Sequence, residues 1–414
     1  MERALVLSIA APPRMGSTGC SGGVSRASLS LVDCPAMNEG PKLPKASMHA
    51  PPAAPEKLIA FATRAADKIL LAVLRRLFLV NEAPTAEGDF ERLVERLQRY
   101  VAPEVLAEPE RLLAPPPTLP KLHVVRRGPL TRRRREVGID EHLRFDTPYR
   151  PLDADYAREY ADYPELDTAH LWSWRHIDPA PATLLLTHGW GVGQWWIHRH
   201  EYDVSYLFHE LGLDVYFYLA PFHGRRTPSQ ARLGGQLHPS SDLVRTNEAF
   251  IQTAIELQTI NSIILGRNPA PLGMMGSSLG GYTSALLASI DERLDFVIPV
   301  LPPASMAHLL WDHGGEEALR ARAEALGMTR ERFHHFWSLH SPLSHQPKVA
   351  WERRLIVTGL GDTLVTADHT RELWEHWDRP RHFRFAGGHA WQLQRRRYHR
   401  EVGRFLRDIG VIAG

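Results

Sequence analysis

The stretch Gly276-Ser277-Ser278-Leu279-Gly280 holds a serine in a G-x-S-x-G pattern, with a short apolar run before it and a helix-compatible run after it. That context fits a nucleophile elbow, a sharp strand-to-helix turn that holds the central serine with its hydroxyl exposed. Ser278 is therefore the candidate nucleophile. A serine hydroxyl attacks poorly at neutral pH unless a base takes its proton, and the base needs a third group to fix its tautomer and stabilise its cation. His389, after Gly387-Gly388, offers the imidazole, and Asp362, after Leu360-Gly361, offers the carboxylate; Asp295 is the reserve acid. Acyl chemistry also needs N–H donors aimed at the developing oxyanion. The backbone N–H groups of Trp190, in the turn His188-Gly189-Trp190-Gly191, and of Leu279 are the candidates. Glycine and serine are common, so the pentapeptide alone decides little. Partners in the right chain order and setting decide more.

The elements that must position these groups can be read from alternation. Short apolar runs at 182–187, 213–219, 296–301, 355–359 and 382–385, and the run feeding Ser278, read as strands. They alternate with helical patterns such as 242–265, which argues for a mostly parallel α/β sheet. Ser278, Asp362 and His389 each fall just after a strand, on the carboxyl edge where open α/β sheets bind ligands. The order serine, acid, histidine is the one that an elbow of this kind uses. The turn Pro221 to Pro228 emerges on the same edge, so Arg225 and Arg226 are candidates to meet an anionic part of a substrate, with a structural salt bridge as the alternative. Residues 303–347 break the alternation with helical sequence containing Trp311, His334, His335 and Trp337, expected to cap the site.

The chain has 414 residues and a net charge of +2, so it can bury a large core and is no polyanion binder on overall charge. One basic cluster, Arg126, Arg127 and Arg132 to Arg135, lacks aromatic interleaving and reads as a solvated hairpin edge. No nucleic-acid partner is expected from it. The two cysteines, Cys20 and Cys34, both lie near the start, so the folded part has no disulfide or thiolate metal site, and the chemistry proposed calls for no metal or cofactor.

Four segments are expected. Residues 1–55, rich in Gly, Ser, Pro and Ala, read as disordered, with Met37 or Met48 as alternative starts. Residues 56–101 form an amphipathic helical extension, and 102–120, with six prolines, a stiff extended linker. Residues 121–414 form the catalytic domain with a cap at about 303–347. In the extension, Leu58, Ala62, Ala65, Ile69, Val73 and Leu77 share one face, with Lys57, Arg64, Lys68 and Arg75 on another. That pattern fits a helix packed on the main domain, or an interfacial helix over residues 56–81 laid on anionic lipid. No uncharged apolar run approaches the ~18 residues of a membrane span. The apolar stretch after Arg3 is short for a secretory leader, so a cytoplasmic location, peripheral to a membrane, is expected rather than secretion.

PFHGRRTP, PLGMMGSSLGGYTSALLA and FAGGHAWQL together resemble the α/β hydrolases over roughly residues 140–410, and more narrowly the α/β-hydrolase-domain-containing eighteen family and its bacterial relatives. The resemblance implies a sheet of about eight strands flanked by helices and a Ser-His-acid site; its narrow branch implies lipid deacylation. Ser277 departs from better-known esterases, which often carry a larger residue before the nucleophile, and Gly273 interrupts the feeding strand. The expected activity is hydrolysis of a carboxylic ester, of a lipid or other hydrophobic acyl group, through an acyl-enzyme on Ser278. An acyltransferase would need the same triad, and a non-catalytic binding protein could use the same fold.

Overall fold

Strands β1 (His123–Arg132), β2 (Arg135–Asp146), β3 (Thr168–His176), β4 (Thr183–Thr187), β5 (Asp214–Leu219), β6 (Leu272–Ser277), β7 (Phe296–Val300), β8 (Leu355–Gly359) and β9 (Arg381–Phe385) form one sheet in the order β1-β2-β3-β5-β4-β6-β7-β8-β9. The computed structural model describes residues 54–78, 87–132, 135–191, 193–313 and 317–414, and these all lie within one unit spanning 46–414. Of residues 1–55, for which disorder is expected, 1–53 lie outside the described residues, while Ala54 and Pro55 already belong to the first helix. From β5 to β9 every pairing is parallel, while β1, β2 and β3 join antiparallel at one edge. Nine strands are thus seen among the described residues where about eight are expected.

The parallel core strands are buried on both faces, as their apolar runs require. Leu185, Tyr216 and Met274 face one hydrophobic cluster, while Leu184, Leu186, Phe217 and Met275 face another. Helices close both faces. In chain order they are α1 (Ala54–Phe78), α2 (Glu87–Val101), α3 (Pro103–Ala107), α4 (Glu110–Leu113), α5 (Ala154–Tyr160), α6 (Trp195–Glu201), α7 (Val204–His209), α8 (Leu243–Arg267), α9 (Leu279–Ile290), α10 (Met306–His313), α11 (Glu317–Ala325), α12 (Arg330–His335), α13 (Ala367–His376) and α14 (Arg395–Asp408). Residues of α2, α8, α9 and α13 pack in the first cluster, and residues of α7 and α14 in the second. None of the described helices is long and apolar enough to cross a membrane.

The proline-rich stretch departs from the extended linker expected of it. Pro103 sits in the first turn of α3, where its missing N–H costs nothing, and α4 follows directly. Leu113 is fully buried and its carbonyl accepts from Gln258 Nε2 of α8 at 2.7 Å, so this segment is part of the core wall. In the same way Leu97, Tyr100 and Val101 of α2 belong to the main core.

The interrupted region is likewise divided. α10, α11 and α12 follow β7, but Phe336, Trp337 and Leu339 are buried in the core around Phe250 and Tyr282. Of the basic cluster, Arg126, Arg127, Arg132 and Arg135 fall on the β1–β2 hairpin, and residues 133 and 134 lie outside the described residues. On the hairpin Arg126 pairs with Asp140, Arg127 with Glu141 and Arg132 with Glu210.

Candidate active site

Ser278 stands between the end of β6 and the start of α9 with φ 57° and ψ −116°, a backbone conformation that costs energy for any residue with a Cβ. Its N–H is held by the Val300 carbonyl at 2.9 Å. The turn closes because of its glycines: a Cβ on Gly276 would collide with the Gly280 carbonyl, and one on Gly280 would collide with the Thr187 carbonyl. The strain at Ser278 is thus over-determined by a parallel ladder on each side and a helix behind it.

His389 and Asp362 reach the same spot from neighbouring strands. β8 and β9 pair in parallel, so the loops after Gly359 and Phe385 leave the sheet side by side. The structure brings the three side chains together. His389 Nε2 lies 2.8 Å from Ser278 Oγ, and His389 Nδ1 lies 2.8 Å from Asp362 Oδ2. The carboxylate accepts at Nδ1–H, which leaves Nε2 to accept from the hydroxyl. Asp362 Oδ1 also accepts from the N–H groups of Leu364 at 2.9 Å and Val365 at 2.7 Å.

Electrostatics in this pair run in two directions. Burial raises the Asp362 carboxyl above its ordinary range, against the opposing pull of His389 and the Val365 N–H. Burial lowers His389, but the Asp362 charge and hydrogen bond outweigh it and the imidazole is raised above 6.5. Three donated hydrogen bonds favour the ionised carboxylate, so the arrangement is carboxylate beside a readily protonated imidazole.

The turn carrying Trp190 lies against the elbow. A Cβ built on Gly189 would stand 3.4 Å from Ser278 Cβ, so the next residue, Trp190, follows a residue packed against Ser278. Leu279 opens α9, where the first N–H groups of a helix have no intrahelical acceptor. Buried side chains with no role assigned from the sequence hold this turn. His188 donates from Nδ1 to the Gly189 carbonyl at 2.7 Å and accepts at Nε2 from the Ala220 N–H at 3.1 Å. Burial pushes its pKa well down, so it is a neutral brace rather than a proton carrier. His198 donates from Nδ1 to Glu201 at 2.7 Å and accepts from the Gly193 N–H at 3.2 Å. Ser277 Oγ accepts from Gln392 Nε2 at 3.2 Å, which ties the elbow to the histidine loop.

Two basic candidates separate. Arg226 is fully buried and forms a two-pronged pair with Glu256, at 2.6 and 2.8 Å, while also donating to the carbonyls of Leu219 and Leu166. Its guanidinium is consumed inside the core, which corrects the expectation that it meets substrate. Arg225 is exposed. Asp295 sits at the entry to β7, where its carboxylate accepts from the Leu272 N–H at 2.9 Å, on the edge opposite Ser278.

Asp67 is the residue that no motif pointed to. It comes from α1, is 1% exposed, and accepts from the N–H groups of His389 and Ala390, each at 2.8 Å, and of Thr363 at 3.2 Å. A polar residue spaced with Ala60 and Thr63 on one helix face was the one available signal.

An elbow serine, a carboxyl-edge histidine and acid, and a mostly parallel helix-flanked sheet define a class: the chain has the α/β-hydrolase fold. Within it, residues 182–313 match the family model described as Alpha/beta hydrolase domain containing 18. An uncharacterized protein of Mycobacterium tuberculosis is 28% identical over 352 residues, covering 84% of this chain and 81% of its own. Among solved structures, the acetyl xylan esterase from Paenibacillus sp. R4 superposes with a TM-score of 0.50 at 12% identity, covering 82% of this chain and 99% of that one. At that identity the likeness speaks for the fold.

Proposed function

We propose that this protein is a cofactor-independent serine hydrolase that cleaves a carboxylic ester of a hydrophobic acyl group. The observation that carries the reading is His389 bridging Ser278 Oγ and Asp362, at 2.8 Å on each side. Ser278 Oγ attacks the ester carbonyl carbon while its proton passes to His389 Nε2. The N–H groups of Trp190 and Leu279 receive the charge that develops on the carbonyl oxygen. As the C–O bond breaks, His389 returns the proton to the leaving alcohol, and an acyl group remains on Ser278. His389 then takes a proton from water, the hydroxide attacks the acyl carbonyl, and the proton goes back to Ser278 Oγ as the acid departs.

The hydrophobic character is supported by two exposed tryptophans. Trp196 on α6, following the Trp190 turn, is 63% exposed, and Trp391, two residues past His389, is 60% exposed. Two large aromatic surfaces left in water, one of them two residues from His389, favour an apolar substrate or an apolar surface. Alcohol in place of water would make the same residues an acyltransferase, and product analysis with competing alcohols separates the two.

Incubation with a fluorophosphonate probe tests the main reading. Wild-type protein is expected to carry the label on Ser278, and Ser278→Ala to carry none. Folded wild-type protein that stays unlabelled would overturn it.

We further propose that α1 rests on anionic lipid. Leu58, Phe61 and Ile69 are 71%, 73% and 68% exposed on the side of α1 away from the buried Ala60, Thr63 and Asp67. Lys57, Arg64 and Lys68 are also exposed and border the apolar stripe on the helical wheel.

A further inference from the structure

We infer that Asp67 is a positioning residue for the reaction, so that α1 is part of the active site rather than an appendage to it. The inference rests on the serine-hydrolase reading and extends it to a residue more than a hundred positions before the segment that matches the family model. Its carboxylate sits where two successive backbone N–H groups, those of His389 and Ala390, point the same way, with the Thr363 N–H as a third donor. Successive N–H groups form a concavity that binds an anion. Here the anion is built into the chain.

The contact reaches both partners of Ser278. His389 carries the base, and Thr363 directly follows Asp362, which carries the acid. One carboxylate therefore pins two loops that the sheet only delivers side by side. Close packing shows that the fit is tight. A Cβ on Gly388 would stand 2.7 Å from Asp67 Oδ2 and 3.0 Å from Thr63 Cβ, and a Cβ on Gly361 would stand 2.8 Å from the Ala60 carbonyl oxygen and collide with Thr63 Oγ1. Both catalytic loops thus present bare backbone to the same face of α1.

A second consequence is electrostatic. Asp67 adds negative charge near His389 without touching its ring nitrogens, and so favours the imidazolium that forms when Ser278 attacks. Without Asp67 the three N–H groups would have to turn toward water, and the His389 backbone would turn with them. A displacement of that order at a catalytic base costs up to about 100-fold in rate.

The test uses full-length Asp67→Ala and Asp67→Asn beside wild type. Asp67→Ala is expected to fold, to lose about 10- to 100-fold in the rate of phosphonate labelling at Ser278 and in kcat, and to keep its KM. Asp67→Asn retains one acceptor oxygen and should fall between the two. A low-field proton resonance from the His389–Asp362 hydrogen bond, read by NMR, should be present in wild type and weakened or lost in Asp67→Ala. That resonance reports the loop geometry whether or not Ser278 reacts, so failure of the hydrolase reading and failure of this one are told apart. Labelling and resonance at wild-type levels in folded Asp67→Ala would overturn the proposal. So would two variants that merely unfold, or that lose stability while each folded molecule keeps full kcat, because Asp67 would then serve stability alone.

Discussion

At the scale of single residues, the site turns on one imidazole held between a hydroxyl and a carboxylate. Because the Asp362 contact raises His389 above 6.5, the acid limb of kcat/KM should lie above that value, and activity should fall as pH drops through it. The sign for stability is opposite. A raised imidazole contributes stability that is fully present below 6.5 and is lost as pH rises through the raised value. Asp362→Asn should move the acid limb downward and reduce kcat by about 10⁴-fold, since an amide cannot hold the tautomer or stabilise the cation; a pH–rate profile of the variant checks both. The types and chain order of these three residues were legible in the sequence, because an elbow and two strand-end loops are local patterns. Asp67 was not legible, since its partner His389 N–H is 322 positions away and carries no side-chain signature.

At the scale of elements, α8 carries two buried carboxylates, and each welds a different part of the chain to the sheet. Glu256 accepts from Arg226, Tyr218, Thr147 and Gln252. Removing only the cation leaves a charge stranded in the core, so Arg226→Met is expected to cost about 3–5 kcal/mol, read as a lowered denaturant midpoint. Glu248 accepts from the hydroxyls of Tyr100 and Tyr149 and from the N–H groups of Leu152 and Asp153. Tyr100→Phe removes one donor to a charged group and should cost about 1.5–3 kcal/mol by the same measurement. These bonds explain why α2 folds into the main core although its sequence reads as a separate extension. The antiparallel strands were harder to see for a related reason. β3 holds His170, Trp172, Trp174 and His176, so it lacks the uniform apolar run that marks β4 or β5.

At the scale of the whole molecule, α1 is two-sided. Its inner face, through Asp67, meets the loops that carry Asp362 and His389, and its outer face carries Leu58, Phe61 and Ile69 into solvent. If that outer face docks on anionic lipid, the protein should sediment with phosphatidylserine-containing vesicles but weakly with neutral ones. Binding should fall as salt rises, because the basic flank acts through a screened field. Leu58→Ser with Phe61→Ser and Ile69→Ser should abolish binding while leaving Ser278 labelling in solution intact. Vesicle binding unchanged in that triple variant would sink the docking idea. A truncation before residue 121 is a poor control, because it would also strip Leu97, Tyr100 and Leu113 from the core.

Taken alone, the amino-acid order determined that a strand turns into a helix at Ser278, that an acid and a histidine follow later strands, and that the sheet is mostly parallel. Those properties are encoded by runs of a few residues whose hydrophobicity, glycines and spacing act on their own neighbourhood. Tertiary structure alone decided that Arg226 is spent on Glu256, that the proline-rich stretch folds against α8, and that Asp67 holds the histidine loop. Each of these is a pairing between distant segments, made by complementary charge or by unpaired backbone groups, and many residues along the chain could have met the same need.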